Sequence, residues 1–95
     1  MEPSIDLSVA VAIASSFRDV AVDPHIIVLG ELGLSGEVRA ISQIGPRLTE
    51  AARLGFKQAV IPYGNLKGVS LQPEAPLEVL GVKTLAEAIG LLLPR

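Results

Sequence analysis

Apolar residues crowd the segment from Ile5 to about Arg18, fourteen residues without Gly or Pro. The spacing predicts a helix that is apolar nearly all the way round, so it must be buried or packed on several sides. Ser4 is a suitable N-cap, and Asp6 then falls in the first turn, where the helix dipole favours an anion. After a loop from Asp19 to Pro24, the run Ile26-Ile27-Val28-Leu29 is dense enough for a central strand. It continues through Gly30 to Leu34 into the turn residues Ser35-Gly36, and Glu37 to Ile41 then alternates, a pattern that predicts a hairpin.

Gly45-Pro46 opens a second helix, since Pro suits the first helical position. Leu48, Ala51, Ala52 and Leu54 form its apolar face, and Gly55 ends it. Gln58 to Pro62 is a short buried strand, Asn65 to Pro76 carries loop residues, and Leu77 to Val82 is a further strand. Thr84 with Glu87 three residues on is a capping box, and it starts a last helix through Leu85, Ala88, Ile89 and Leu92. The order helix, hairpin, helix, strand, strand, helix predicts a single α/β domain over residues 1–95, an α+β sandwich of modest size. No repeat or low-complexity tract interrupts it.

Composition narrows the chemistry. Hydrophobic residues make up 49% and aromatics only 3%, so the core must be aliphatic. With no Cys, disulfides, thiol nucleophiles and cysteine metal sites are excluded, and a single His leaves almost nothing for a transition metal. Eight basic and ten acidic residues give a net charge of −2 with no basic run, which argues against strong nucleic-acid binding. The longest apolar run, Val9 to Ala14, is too short to cross a bilayer, so no membrane partner is expected. A signal peptide would need a basic start where Glu2 and Asp6 are acidic, and the expected location is cytoplasmic.

Candidate chemistry is sparse. His25 stands before a strand without a nucleophile beside it, which suits a loop-end or capping role. Glu31 and Glu37 flank the hairpin turn, where acids are usually solvated. Gly30, Gly33 and Gly36 are spaced by three, which serves bends rather than phosphate binding, and no Walker A or dinucleotide motif is present. The residues alone support an α/β domain and no more.

The stretch Gly30-Glu31-Leu32-Gly33-Leu34-Ser35-Gly36-Glu37-Val38-Arg39 resembles the hairpin common to Lon proteases and the bacterial RadA (Sms) family of DNA repair proteins. Glu50 to Lys57, then Val60-Ile61-Pro62 and Asn65, are similar to the same family in order and spacing. Asp6-Leu7, Ser15 to Asp19 and Ile41 to Ile44 resemble its RadA form. The resemblance spans essentially all 95 residues. It implies a Lon proteolytic-domain-like fold (ribosomal protein S5 domain 2-like), the C-terminal domain of the family, without its N-terminal strands, the ATPase core or the zinc finger.

In Lon proteases a Ser in a Pro-Ser-Ala-Gly context pairs with a Lys at the start of the helix after the hairpin. Pro3-Ser4 falls on the serine position, Asp6 replaces the Gly, and Gly45 falls on the lysine position. Arg47, two residues on, keeps its proton and cannot serve as the base that a serine nucleophile needs. The resemblance therefore implies no catalytic residue in this segment, and Ser4 is expected to be a plain helix cap.

Two functions follow as expectations. The first is a non-catalytic oligomerisation and DNA-contacting module of a RecA-like ATPase, a branch-migration helicase of recombinational DNA repair. Its partners would be other copies in a ring (a hexamer by resemblance), DNA held weakly by Arg39, Arg47, Arg53 and Lys57, and RecA as a candidate through the longer protein. ATP, Mg and Zn would belong only to the absent domains, leaving no cofactor and no metal here. The alternative is an ATP-dependent Lon-type serine peptidase, which Pro3-Ser4 supports and Gly45 opposes. Lys57, Lys67 or Lys83 would have to replace the lysine.

Overall fold

The computed structural model describes residues 4–69 and 76–94; Pro3 and part of the expected Asn65–Pro76 loop lie outside them. In chain order the elements are β1 (Ile5–Asp6), α1 (Leu7–Arg18), β2 (Ile26–Val28), β3 (Glu31–Leu32), β4 (Val38–Arg39), α2 (Ile44–Arg53), β5 (Gln58–Pro62), a 3-10 helix (Tyr63–Gly68), β6 (Glu78–Val82) and α3 (Leu85–Leu92). The expected α/β class is correct. The strands form two small sheets, an antiparallel one ordered β1-β3-β4 and a parallel one ordered β2-β5-β6.

Strand β5 explains the architecture. Its Ala59, Val60, Ile61 and Pro62 are all buried. Ala59 and Ile61 join one core cluster with Ile44, Leu48 and Ala51 of α2, while Val60 joins the other with Leu7 and Val11 of α1 and Ala88 and Leu92 of α3. Alternate residues of a strand point to opposite faces. The parallel sheet is therefore covered by α2 on one side and by α1 with α3 on the other, which is why its central strand is a continuous apolar run.

Several boundaries differ from the sequence-based expectation. Helix α1 begins at Leu7, not at Ile5, and its N-cap is Asp6, whose carboxylate accepts from the Ser8 N–H at 2.8 Å and the Ser8 hydroxyl at 2.5 Å. Ser4 is not the cap, because Ile5 and Asp6 are drawn into β1 by pairing with Leu32 and Glu31. The expected hairpin holds only at its tip. Gly30 (φ +144°) bends the first arm, so that β2 pairs in parallel with β5 while β3 pairs with β4. Only glycine takes that backbone angle readily.

Helix α2 starts at Ile44, which puts Pro46 third rather than first; that position still lies in the turn whose N–H groups have no intrahelical partner. Leu54 caps its end and is exposed instead of buried. Tyr63–Gly68, which overlaps the expected loop, winds into the 3-10 helix. The capping box of α3 is present: the Thr84 hydroxyl accepts from the Glu87 N–H at 3.1 Å, and Glu87 Oε1 reaches back to the Lys83 N–H at 2.6 Å.

Candidate functional site

The starts of α1 and α2 meet across a cleft of about 320 Å³. Asp6 at the head of α1, Gly30 and Glu31 at the bend into β3, and Ile41, Ser42 and Arg47 around the entry to α2 form its walls. Asp6 and Glu31 are its acidic groups and Arg47 its basic one. Hydrogen bonding from the Ser8 hydroxyl is the largest influence holding the Asp6 carboxyl below its ordinary pKa, and the positive charge of Arg47 adds to it. No lysine is among the lining residues.

Asn65 fixes one wall. Its Oδ1 accepts from the Ile41 N–H and its Nδ2 donates to the Ile41 carbonyl, both at 2.9 Å. One side-chain amide thus imitates a strand partner for the segment that leads from β4 into α2. The opposite wall depends on the Leu7 N–H, which donates to the Gly30 carbonyl at 2.9 Å and ties the head of α1 to the bend.

The hairpin tip beyond the cleft is organised by Glu37. Its carboxylate takes the Ser35 N–H at 3.1 Å and both Nε and Nη2 of Arg39, at 3.1 and 2.9 Å. A Cβ on Gly33 would lie 2.1 Å from Glu37 Oε2, so only glycine leaves room for that arrangement. Backbone hydrogen bonding and then Arg39 lower the Glu37 pKa. The pair is structural in geometry.

Ser4 is exposed and lies two residues ahead of the α1 cap. Gly45 is the second residue of α2, and a Cβ there would meet nothing within 4 Å. The structure does not assemble the four basic candidates into one surface of unpaired charge. Arg39 is engaged by Glu37, and Arg53, near the end of α2, is gripped by Glu50 at 3.2 and 2.6 Å, which raises its pKa. Arg47 is exposed in the first half of α2, about 9 Å along the axis from Arg53. Lys57 is exposed just before β5, its N–H donating to the His25 carbonyl at 2.9 Å. Among the described residues no carboxylate forms an ion pair with Arg47 or Lys57.

His25 stands at the end of its loop, bonded to Asp23 through both its N–H and Nδ1. The sequence pattern assigns Gly33 to a bend of the hairpin and Asn65 to the start of a loop, but shows neither the room Gly33 leaves for Glu37 nor the brace from Asn65 to Ile41. A polar amide so close to the apolar run Val60-Ile61-Pro62 was the available signal.

Residues 2–65 match the family model described as subunit ChlI of Mg-chelatase. Over 94 residues the chain is 50% identical to DNA repair protein RadA of Halalkalibacterium halodurans, covering 99% of this chain and 20% of that protein. It is 50% identical over 88 residues to DNA repair protein RadA of Bacillus subtilis (93% and 19%), and 45% identical over 93 residues to that of a Synechocystis species (98% and 18%). The chain thus spans about a fifth of the length of the curated relatives it matches. Near-complete coverage of this chain, together with the motifs from Gly30 to Arg39, from Glu50 to Lys57 and from Val60 to Asn65 on which the resemblance rests, leads to one assignment: the chain belongs to the family represented by the ChlI model, in the form found in DNA repair protein RadA.

Proposed function

We propose that this chain is a non-catalytic module of a RadA-type DNA repair ATPase, serving assembly of the longer protein and weak contact with DNA. The observation that carries the non-catalytic part is the cleft between α1 and α2. A serine nucleophile needs a neighbouring base with a pKa near neutrality. The cleft offers Arg47, which never gives up its proton, and two carboxylates, Glu31 and Asp6, of which Asp6 is held below its ordinary pKa; Ser4 is not among its lining residues. Gly45 supplies no side chain. The Lon-type peptidase reading has less support, because none of Lys57, Lys67 and Lys83 lines this cleft.

A serine-reactive fluorophosphonate, with the labelled site located by mass spectrometry, tests this part. The expected result is no specific label on Ser4; stoichiometric labelling there overturns it.

Assembly is supported by apolar side chains left on the surface, among them Ile13, Phe17, Leu34 and Leu54. DNA contact falls chiefly to Arg47 and Lys57, since Arg39 and Arg53 already hold carboxylates. Two cations per copy give weak, sequence-independent binding, which a ring of copies would strengthen through avidity. ATP, Mg and Zn would act in other parts of such a protein, and RecA would be met through the whole of it.

A further inference from the structure

Strand register brings Tyr63 and Lys83 together. Strands β5 and β6 run parallel with Pro62 beside Val82, so the next residue of each, Tyr63 and Lys83, leaves the sheet at the same end. The Lys83 ammonium lies 4.6 Å from the centroid of the Tyr63 ring. Both residues are exposed, Tyr63 to 52%. Among the described residues no carboxylate forms an ion pair with Lys83. In open α/β sheets the carboxyl ends of the strands are where ligands are commonly met.

The backbone beneath the pair is firmly held. The Lys83 carbonyl accepts from the Val38 N–H at 2.8 Å, and the Lys83 N–H donates to Glu87 Oε1 at 2.6 Å. The turn that carries Tyr63 lies against Gly81, where a Cβ would stand 2.6 Å from Leu66 Cδ1 and 3.2 Å from the Tyr63 Cα. Only glycine there lets the 3-10 helix sit so close to β6. Lys67, exposed on the same short helix, adds a second cation about 8 Å further along its axis. A supported aromatic ring with ammonium groups beside it suits an unpaired base and its phosphates.

Magnitudes favour exchange at the ring. A cation over an exposed ring is held more weakly than a base stacked on it. A base can therefore take the ring from Lys83, and the released ammonium then lies beside the adjoining phosphate. A duplex cannot do the same, because its bases are already paired and stacked. An acidic peptide would gain from the two lysines but not from the ring.

We infer that Tyr63, with Lys83 and Lys67, forms a stacking site for single-stranded DNA at the carboxyl ends of β5 and β6, in addition to the contact through Arg47 and Lys57. The inference rests on the reading that this chain contacts DNA. Tyr63 is the single tyrosine of the chain, so its ring protons give one identifiable set of NMR signals. Titrating the 95-residue protein with oligothymidylate should move that set upfield, as stacking against a base requires, while a duplex of equal length should leave it in place. By fluorescence anisotropy, Tyr63→Phe should bind the labelled strand as the wild type does, and Tyr63→Ala about tenfold more weakly. Lys83→Gln should lower the slope of affinity with salt by about 0.7, the value for one phosphate of a single strand.

A strand that binds with the ring signals unmoved, and binds Tyr63→Ala as tightly as the wild type, would overturn the stacking site while leaving the contact through Arg47 and Lys57. Equal upfield movement with the duplex would also overturn it. If neither strand nor duplex binds, the site and the DNA-contact reading fall together.

Discussion

Asn65 and Asp6 each hold a backbone junction that no regular element could hold. Asn65 satisfies both backbone groups of Ile41, so Asn65→Ala leaves a part-buried donor and acceptor without partners. The expected loss is about 2 kcal/mol of unfolding free energy, since each unsatisfied group costs roughly 1–3 kcal/mol before relaxation. Urea denaturation followed by far-UV circular dichroism measures it, and Asn65→Asp should fall between the two because it keeps the acceptor. Asp6 adds a pH signature. Its folded-state pKa is depressed below 3.8, so its stabilising effect is complete above that value and is lost as pH falls through the folded pKa. Asp6→Asn, which can still cap α1, should change little at pH 7 and flatten the decline in stability below about pH 4. A titration curve of stability with the same slope in both proteins would remove Asp6 from the acid response.

At the scale of elements, the hairpin tip and the first turn of α2 respond in opposite directions to the same change. Gly33→Ala forces the Glu37 carboxylate aside and breaks its bonds to Ser35 and Arg39. The expected cost is small, because the displaced atoms are the ends of flexible, exposed side chains, and it should shrink further when Glu37 is already Ala, since the lost interactions are shared. Gly45→Ala meets open space in a helical turn and should stabilise the fold by about 0.5–1 kcal/mol, the difference in helix propensity between the two residues. Thermal melts of the wild type, the Gly33→Ala, Glu37→Ala and Gly45→Ala variants and the Gly33→Ala/Glu37→Ala double variant decide both points. Gly45 thus weakens its own helix.

For the whole molecule, exposed apolar side chains and sparse free charge set the expected response to salt. If copies associate, the assembly should survive 1 M NaCl, because screening weakens exposed ion pairs and leaves apolar contacts in place. Light scattering at low and high salt reads this directly, and dissociation into monomers at high salt would assign the contact to charge. Binding to DNA should behave conversely. Anisotropy of labelled duplex should weaken with salt at a slope near 0.9 per phosphate neutralised, and the double change Arg47→Ala, Lys57→Ala should remove most of the affinity. Arg53→Ala should matter less, since Glu50 already neutralises that guanidinium.

Local pattern and composition sufficed for much of this. The three helices, the buried run of β5, the capping box at Thr84 and Glu87, the aliphatic core and the lack of thiol chemistry are all consequences of neighbouring residues or of counts. Motif order likewise carried the family. What local pattern could not decide was which partner a segment would find. Ile5 and Asp6 have helix-compatible neighbours, yet pairing with Leu32 and Glu31 draws them into a strand and hands the cap from Ser4 to Asp6. The run from Ile26 to Leu34 looks continuous, but Gly30 divides it between two sheets, because β5, thirty residues away, offers β2 a parallel partner. Arg39 and Arg53 counted as free cations until Glu37 and Glu50 closed on them. Propensity acts over a few residues along the chain, whereas strand pairing, ion pairing and the brace from Asn65 to Ile41 act between groups that only the fold brings together.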